Sequence, residues 1–241
     1  AAGGVAASSR RAAPPDDGRL VVARGMSPIS LEQYRRLAAA LYHAQAENGL
    51  KTVLVSSAVP GEGKTLTATN LALTLAESYG RRVLLVDADL RDPSVHRLLG
   101  LPGSPGLAEY LRAEARDLPV AAVSSALDLL PAGTSNGNPV AGLVSERMRL
   151  LVQQAVARFD WVLIDTPPVA LMPDANLVAR LADAVVLVVA AGSTPYRLVE
   201  RAVEAVGRER VLGVVLNRAP EDVLPARYYS GHASGRHDGA L

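Results

Sequence analysis

Six apolar runs punctuate the chain, at residues 51–57, 82–88, 127–130, 161–166, 184–190 and 211–217. Each is short, rich in Val, Leu and Ala, and bounded by turn-forming or charged residues, the pattern of strands covered on both faces. Segments 64–79, 139–158, 174–181 and 196–207 lie between them and predict helices, with shorter turns across 94–112. An earlier helix carries Leu31, Tyr34, Leu37 and Leu41 at helical spacing and ends near Asn48-Gly49. Ser30 and Gln33, three apart, form a capping-box pattern that places the N-cap at Ser30. Strand and helix alternate throughout, so the expected fold is α/β: a single domain with a mostly parallel, doubly wound sheet flanked by helices.

That domain is expected over residues 28–220. Residues 1–27 are rich in Ala, Gly, Ser, Pro and Arg without period and predict a disordered tail. Residues 221–241 lose the apolar period and predict a flexible C-terminal tail that holds a tyrosine pair, Tyr228 and Tyr229. The first residue is Ala rather than Met, as in a processed chain or one cut from a longer protein.

Composition narrows the function classes. Apolar residues make up 49% of the 241 but aromatic ones only 4%, so Val, Leu and Ala must build the core. A net charge of +1 argues against nucleic acid as the main partner. No cysteine is present, which excludes disulfides and thiolate metal sites. The longest strongly apolar run, 184–191, is far shorter than the ~20 residues of a membrane span, and no secretory signal precedes it. His43, His96, His232 and His237 share no ligand spacing.

The chemistry concentrates in one loop. Residues 58–65 are Ala-Val-Pro-Gly-Glu-Gly-Lys-Thr, after a strand and before a helix. This matches the phosphate-binding loop at all its fixed positions but one, where Ala58 replaces the usual first Gly. Gly61 and Gly63 let backbone N–H groups close on phosphate oxygens, Lys64 supplies a cation for the β- and γ-phosphates, and Thr65 a hydroxyl for Mg²⁺. Pro60, Glu62 and Leu66 complete the nucleotide-binding set, so the expected ligands are ATP and Mg²⁺. Three aspartates end apolar strands on the same rim: Asp87 and Asp89 after 83–86, and Asp165 after 161–164. An acid there can hold Mg²⁺ or orient an attacking hydroxyl, although turn and N-cap aspartates are also common at such places.

Together these segments resemble the bacterial P-loop tyrosine kinases of capsule and exopolysaccharide assembly. The likeness runs from about Ser30 to Asn217. It rests on 57–65, on Val83-Leu-Leu-Val-Asp-Ala-Asp-Leu-Arg-Asp-Pro93, and on Val162-Leu-Ile-Asp-Thr-Pro-Pro168. His96-Arg-Leu-Leu-Gly-Leu101, Gly106-Leu-Ala-Glu-Tyr-Leu111, Leu129-Leu-Pro-Ala-Gly133 and Asn138-Pro139 follow in the family's order. The resemblance implies an ATP-dependent protein tyrosine autokinase that regulates polysaccharide polymerisation and export. Lys64, Asp87 and Asp89 would be its catalytic residues, Thr65, Asp87 and Asp165 its metal site, and Asn217 and Arg218 would lie by the adenine. Tyr228 and Tyr229 stand where the family carries its acceptor tyrosine cluster, here reduced to two.

The resemblance also implies an activator, the cytosolic segment of a membrane protein that governs polysaccharide chain length. It implies a cytoplasmic chain recruited to the inner face of the membrane, and a homo-oligomer. The family's helical Glu-x-x-Arg-x-x-Arg assembly motif survives only as Glu32 and Arg35 followed by Ala38, with Arg36 adjacent. The alternative is a nucleotide-switched binding module like the ATPases that partition DNA or position division sites. Those carry a further lysine at the position of Val59, which favours the kinase.

Overall fold

A computed structural model describes residues 18–22, 26–135 and 139–220. The tyrosine pair Tyr228–Tyr229, His232, His237 and most of the N-terminal tail lie outside the described residues.

Among the described residues seven strands form one sheet, in the order β3-β4-β2-β5-β1-β6-β7. They are β1 (Thr52–Ser57), β2 (Val83–Asp87), β3 (Ala121–Ala122), β4 (Leu127–Leu130), β5 (Trp161–Asp165), β6 (Ala184–Ala190) and β7 (Val211–Asn217). All neighbours pair in parallel except β3, which runs antiparallel to β4 at one edge. The two-residue β3 is too short to leave a period in the sequence and was not foreseen.

Every residue of β1, β2, β5 and β6 is buried, as expected of strands covered on both sides. The side-chain alternation divides them between two cores. Val53, Val55, Leu85, Leu163 and Val188 pack beneath α1 (Pro28–Asn48), α2 (Lys64–Tyr79) and α3 (Val95–Leu99). Leu54, Leu84, Val86, Ile164 and Leu187 face α6 (Glu146–Arg158), α7 (Pro173–Ala179) and α8 (Tyr196–Val206). The short helices α4 (Leu107–Leu111) and α5 (Pro139–Leu143) lie on that second side. At the far edge, β7 leaves Leu212, Val214 and Leu216 exposed.

Three expectations are corrected. The expected helix over 139–158 is two helices, α5 and α6. Ser145 interrupts them: its hydroxyl accepts from the Met148 N–H as an N-cap and donates to the Gly142 carbonyl at 2.6 Å. A hydroxyl that satisfies backbone groups locally competes with helix continuation. The first helix begins at Pro28 with Ser27 as N-cap, because Ser27 Oγ accepts from Ser30 N at 3.1 Å and Pro28 fits the first turn. Ser30 is therefore inside the helix and is not its cap.

The third correction concerns residues 18–22, assigned above to the tail. They form a strap against α2. Asn70, fully buried in α2, accepts from Val21 N and donates to the Arg19 carbonyl, each at 2.9 Å. Leu20 is fully buried in the core between α1 and α2. Leu20→Ala should destabilise the chain by about 2–4 kcal/mol through lost burial and the cavity left behind, measured by urea denaturation. A loss below about 0.5 kcal/mol would show that the strap is not docked in solution.

Candidate active site

The parallel sheet brings β1, β2 and β5 together, and their carboxyl ends carry the expected chemistry. Asp87 is in register with Asp165, and Val55 of β1 pairs with Asp165 on its other side. The loop 58–63 leaves β1 and turns directly into α2, whose N-cap is Gly63. No side chain caps that helix, so its first N–H groups face the loop. Gly63 has φ +93° and lies hard against the Asn217 side chain, and a Cβ there would collide with the Asn217 amide. Both its conformation and its space require glycine.

Lys64 is folded into the acids. Its Nζ lies 2.9 Å from Asp89 Oδ2 and 3.7 Å from Asp165 Oδ2, and 3.1 Å from Thr65 Oγ1. Thr65 Oγ1 donates to Asp165 Oδ2 at 2.7 Å. Asp165 Oδ1 is buried with no hydrogen-bond partner. Asp87 is tied to the backbone: Oδ1 accepts from Asp89 N, and Oδ2 from Ser94 N and Val95 N, at 3.1–3.2 Å. Asp89 Oδ1 accepts in turn from Asp92 N. The sequence-selected residues Lys64, Thr65, Asp87, Asp89 and Asp165 thus converge on one site.

Burial and mutual repulsion set the protonation of this cluster. Burial, with Asp165 close by, pushes the Asp87 carboxyl up to about 7 against the backbone N–H of Val95. Burial also pushes Asp165 up to about 6, although Lys64 and the Thr65 hydroxyl pull it down. For Lys64, burial alone would lower the pKa, but Asp165 and Asp89 outweigh it and the ammonium is held above its ordinary value. It is a permanent cation at neutral pH.

Asn217 and Arg218, at the end of β7, contact the loop itself. Asn217 Nδ2 donates to the Glu62 carbonyl at 2.8 Å and Arg218 Nη2 to the Gly61 carbonyl at 2.6 Å. Glu62, expected in the nucleotide-binding set, is 1% exposed; its side chain turns inward, away from the cleft, while its backbone remains part of the loop. Pro60, Gly61, Gly63, Lys64, Thr65 and Leu66 line a cleft of about 440 Å³, with Asp89, Arg91, Pro167 and Met172 on its other wall. Arg19 also lines it, carried there by the strap, and sequence reasoning missed it. The available signal was the apolar triplet Leu20-Val21-Val22 inside an otherwise aperiodic tail.

The fold and loop define a P-loop nucleoside triphosphatase. A ParA family model, described as NUBPL iron-transfer P-loop NTPase, matches residues 49–220. The tyrosine-protein kinase YwqD of Bacillus subtilis is 36% identical over 193 residues, covering 78% of this chain and 81% of YwqD. Two solved structures are similar in both fold and sequence. The chimerical protein CapA2B2 superposes with a TM-score of 0.77 at 30% identity, over 85% of this chain and 91% of that one. The kinase domain of the Escherichia coli tyrosine kinase ETK gives 0.72 at 29% identity, over 78% and 77%. Within the ParA-type NTPases, the chain belongs to the family of bacterial P-loop tyrosine kinases. That membership favours the kinase over the partitioning-type switch.

The raised carboxyls fix a pH dependence. A carboxyl with a folded pKa above its unfolded value makes the folded state bind more protons, so its stabilisation is complete below about pH 4 and is lost as pH rises through 6 to 7. The thermal midpoint of the chain without nucleotide, in chelator, should fall by a few degrees from about pH 5 to about pH 8. Asp165→Asn should flatten that fall. A midpoint that rises over the range would contradict the raised carboxyls.

Proposed function

We propose that the chain uses Mg²⁺-ATP to phosphorylate tyrosines of its own C-terminal tail, Tyr228 and Tyr229, on neighbouring copies. In doing so it regulates polymerisation and export of a capsular or exported polysaccharide. The observation that carries this reading is the convergence of Lys64, Thr65, Asp89 and Asp165 at the mouth of the phosphate loop.

The oxygens present suit Mg²⁺. Thr65 Oγ1, Asp165 with its unpartnered Oδ1, and Asp87 are hard donors. Among the described residues no three acidic or histidine side chains form a ready cage. This fits an ion held by one or two protein oxygens with waters and phosphate. When bound, Mg²⁺ supplies charge neutralisation at the β- and γ-phosphate oxygens.

In this reading the loop N–H groups and Lys64 hold the phosphates. Lys64 would exchange its contact with Asp89 for the incoming phosphate oxygens, which frees the Asp89 carboxylate. Asp89 then accepts the proton of the acceptor tyrosine hydroxyl as the new phenolic O–P bond forms and the γ-phosphorus separates from the β-phosphate oxygen. Asp87, bonded to three N–H groups, holds the 87–95 turn that presents Asp89. Asn217 and Arg218 at the end of β7 would lie by the adenine. Phosphorylation adds about −1.5 to −2 charges per tyrosine, enough to loosen contacts between copies.

The activator in this reading is the cytosolic segment of a membrane chain-length protein, which would recruit the chain to the inner face of the cell membrane. Among the described residues no helix is long and apolar enough to cross a membrane. Assembly into a homo-oligomer would use α1, where Glu32 lies exposed, 3.8 Å from both Arg35 and Arg36. Such exposed pairs contribute at most about 1 kcal/mol within one chain.

Incubation with Mg²⁺-ATP should add phosphate to the intact mass, localised to Tyr228 or Tyr229, and Lys64→Met should abolish it with ATP turnover. Turnover without added mass would favour the nucleotide-switched module, and labelled Lys64→Met would remove the reading. Glu32→Ala should reduce the assembled size seen by light scattering. A chain that stays monomeric at high concentration before the substitution would refute assembly through α1.

A further inference from the structure

The inward Glu62 side chain has no place in phosphate binding by the loop backbone, yet it is among the most completely bonded carboxylates of the site. Oε2 accepts from Val59 N at 2.8 Å, within the loop. Oε1 accepts from Ala190 N at 3.0 Å, at the end of β6, and from the Thr194 hydroxyl in the turn before α8. The carbonyl of the same residue accepts from Asn217, the last residue of β7, and the preceding carbonyl from Arg218, just beyond it. One loop residue therefore ties its own strand exit to the ends of two further strands.

The consequence is directional. A loop that cradles phosphate must turn its N–H groups outward and its carbonyls away. Asn217 and Arg218 draw the carbonyls of Glu62 and Gly61 to the β7 side, and Glu62 takes the N–H of Val59 inward. A carboxylate suits this position because all of its contacts are donors, and a carboxylate accepts on both oxygens without donating.

We propose that Glu62 is a positioning residue that presets the phosphate-receiving shape of the loop, with Thr194 as its partner. This rests on the nucleotide-binding reading above. Glu62→Gln is nearly isosteric but turns one accepting oxygen into an NH₂ that faces an N–H or hydroxyl donor. Leaving one buried donor unmatched should open the loop. Thr194→Val removes the hydroxyl at constant shape, and Thr194→Ser keeps it.

The test is binding of Mg²⁺-ATP and Mg²⁺-ADP by calorimetry, below the thermal midpoint of every variant, together with steady-state ATP turnover. Glu62→Gln should weaken both nucleotides together by about tenfold or more, because the loop cradles the β-phosphate that both share. KM should rise with kcat little changed, the signature of contacts made equally in ground and transition states. Thr194→Val should move in the same direction by about threefold, and Thr194→Ser should restore binding. Folded Glu62→Gln with wild-type affinities, or Thr194→Val indistinguishable from Thr194→Ser, overturns the proposal. Should Glu62→Gln fail to fold, the Thr194 pair decides alone. Lys64→Met in parallel separates the two ideas: nucleotide binding that ignores Lys64→Met defeats the underlying reading, not this one alone.

Discussion

Three carboxylates and one ammonium share the carboxyl end of the sheet, and the rest of the structure is arranged around that excess of negative charge. Asp87, Asp89 and Asp165 are each no more than 6% exposed, and Lys64 is the cation placed among them. Without another positive charge the cluster is electrostatically incomplete, which is why burial drives two of its members towards protonation. Strain of this kind is tolerated where a ligand will relieve it. In the proposed reading, a divalent cation with a polyphosphate would supply both the missing positive charge and the anion that the loop and Lys64 can receive.

Holding such a cluster requires a rigid support, and the sheet provides one. The order β2-β5-β1 places the two strand-end acids and the loop on adjacent strands, so parallel register alone aligns Asp87 with Asp165. Two separate apolar cores clamp those strands from both sides. The loop is then held laterally by groups at and just beyond the ends of β6 and β7: Ala190, Thr194, Asn217 and Arg218. Strands at the centre position the charges, and strands towards the edge position the loop.

The sequence disclosed what local chemistry dictates. The apolar runs of β1, β2, β5 and β6 are unbroken because both faces are buried, so their positions were legible. The loop and the strand-end aspartates were legible because their residue types and spacing follow directly on the strand pattern, and the structure brings them to one rim. What escaped depended on contacts distant in the chain. Leu20 belongs to the core only because Asn70, fifty residues away, binds the backbone on either side of it. The break at Ser145 turned on a hydroxyl choosing local partners, which an apolar period does not register. The Glu62 side chain has the type of a solvent-facing residue, yet Val59 of its own loop, Ala190 of β6 and the distant Thr194 turn all give it donors. Tyr228 and Tyr229 stand outside the described residues, so the acceptor role proposed for them rests on the resemblance.

The strand order also constrains how the chain reaches this state. β1 precedes the other described strands in the chain, yet it pairs with β5 and β6, whose residues lie more than a hundred positions later. During synthesis Thr52–Ser57 must wait, apolar and unpaired, while β2, α3 and β4 emerge. Non-local parallel pairing of this kind makes folding slow and exposes the waiting strand to wrong partners. The loop that β1 carries, and the nucleotide it receives, can therefore take shape only late in synthesis, once β5 and β6 have closed on either side.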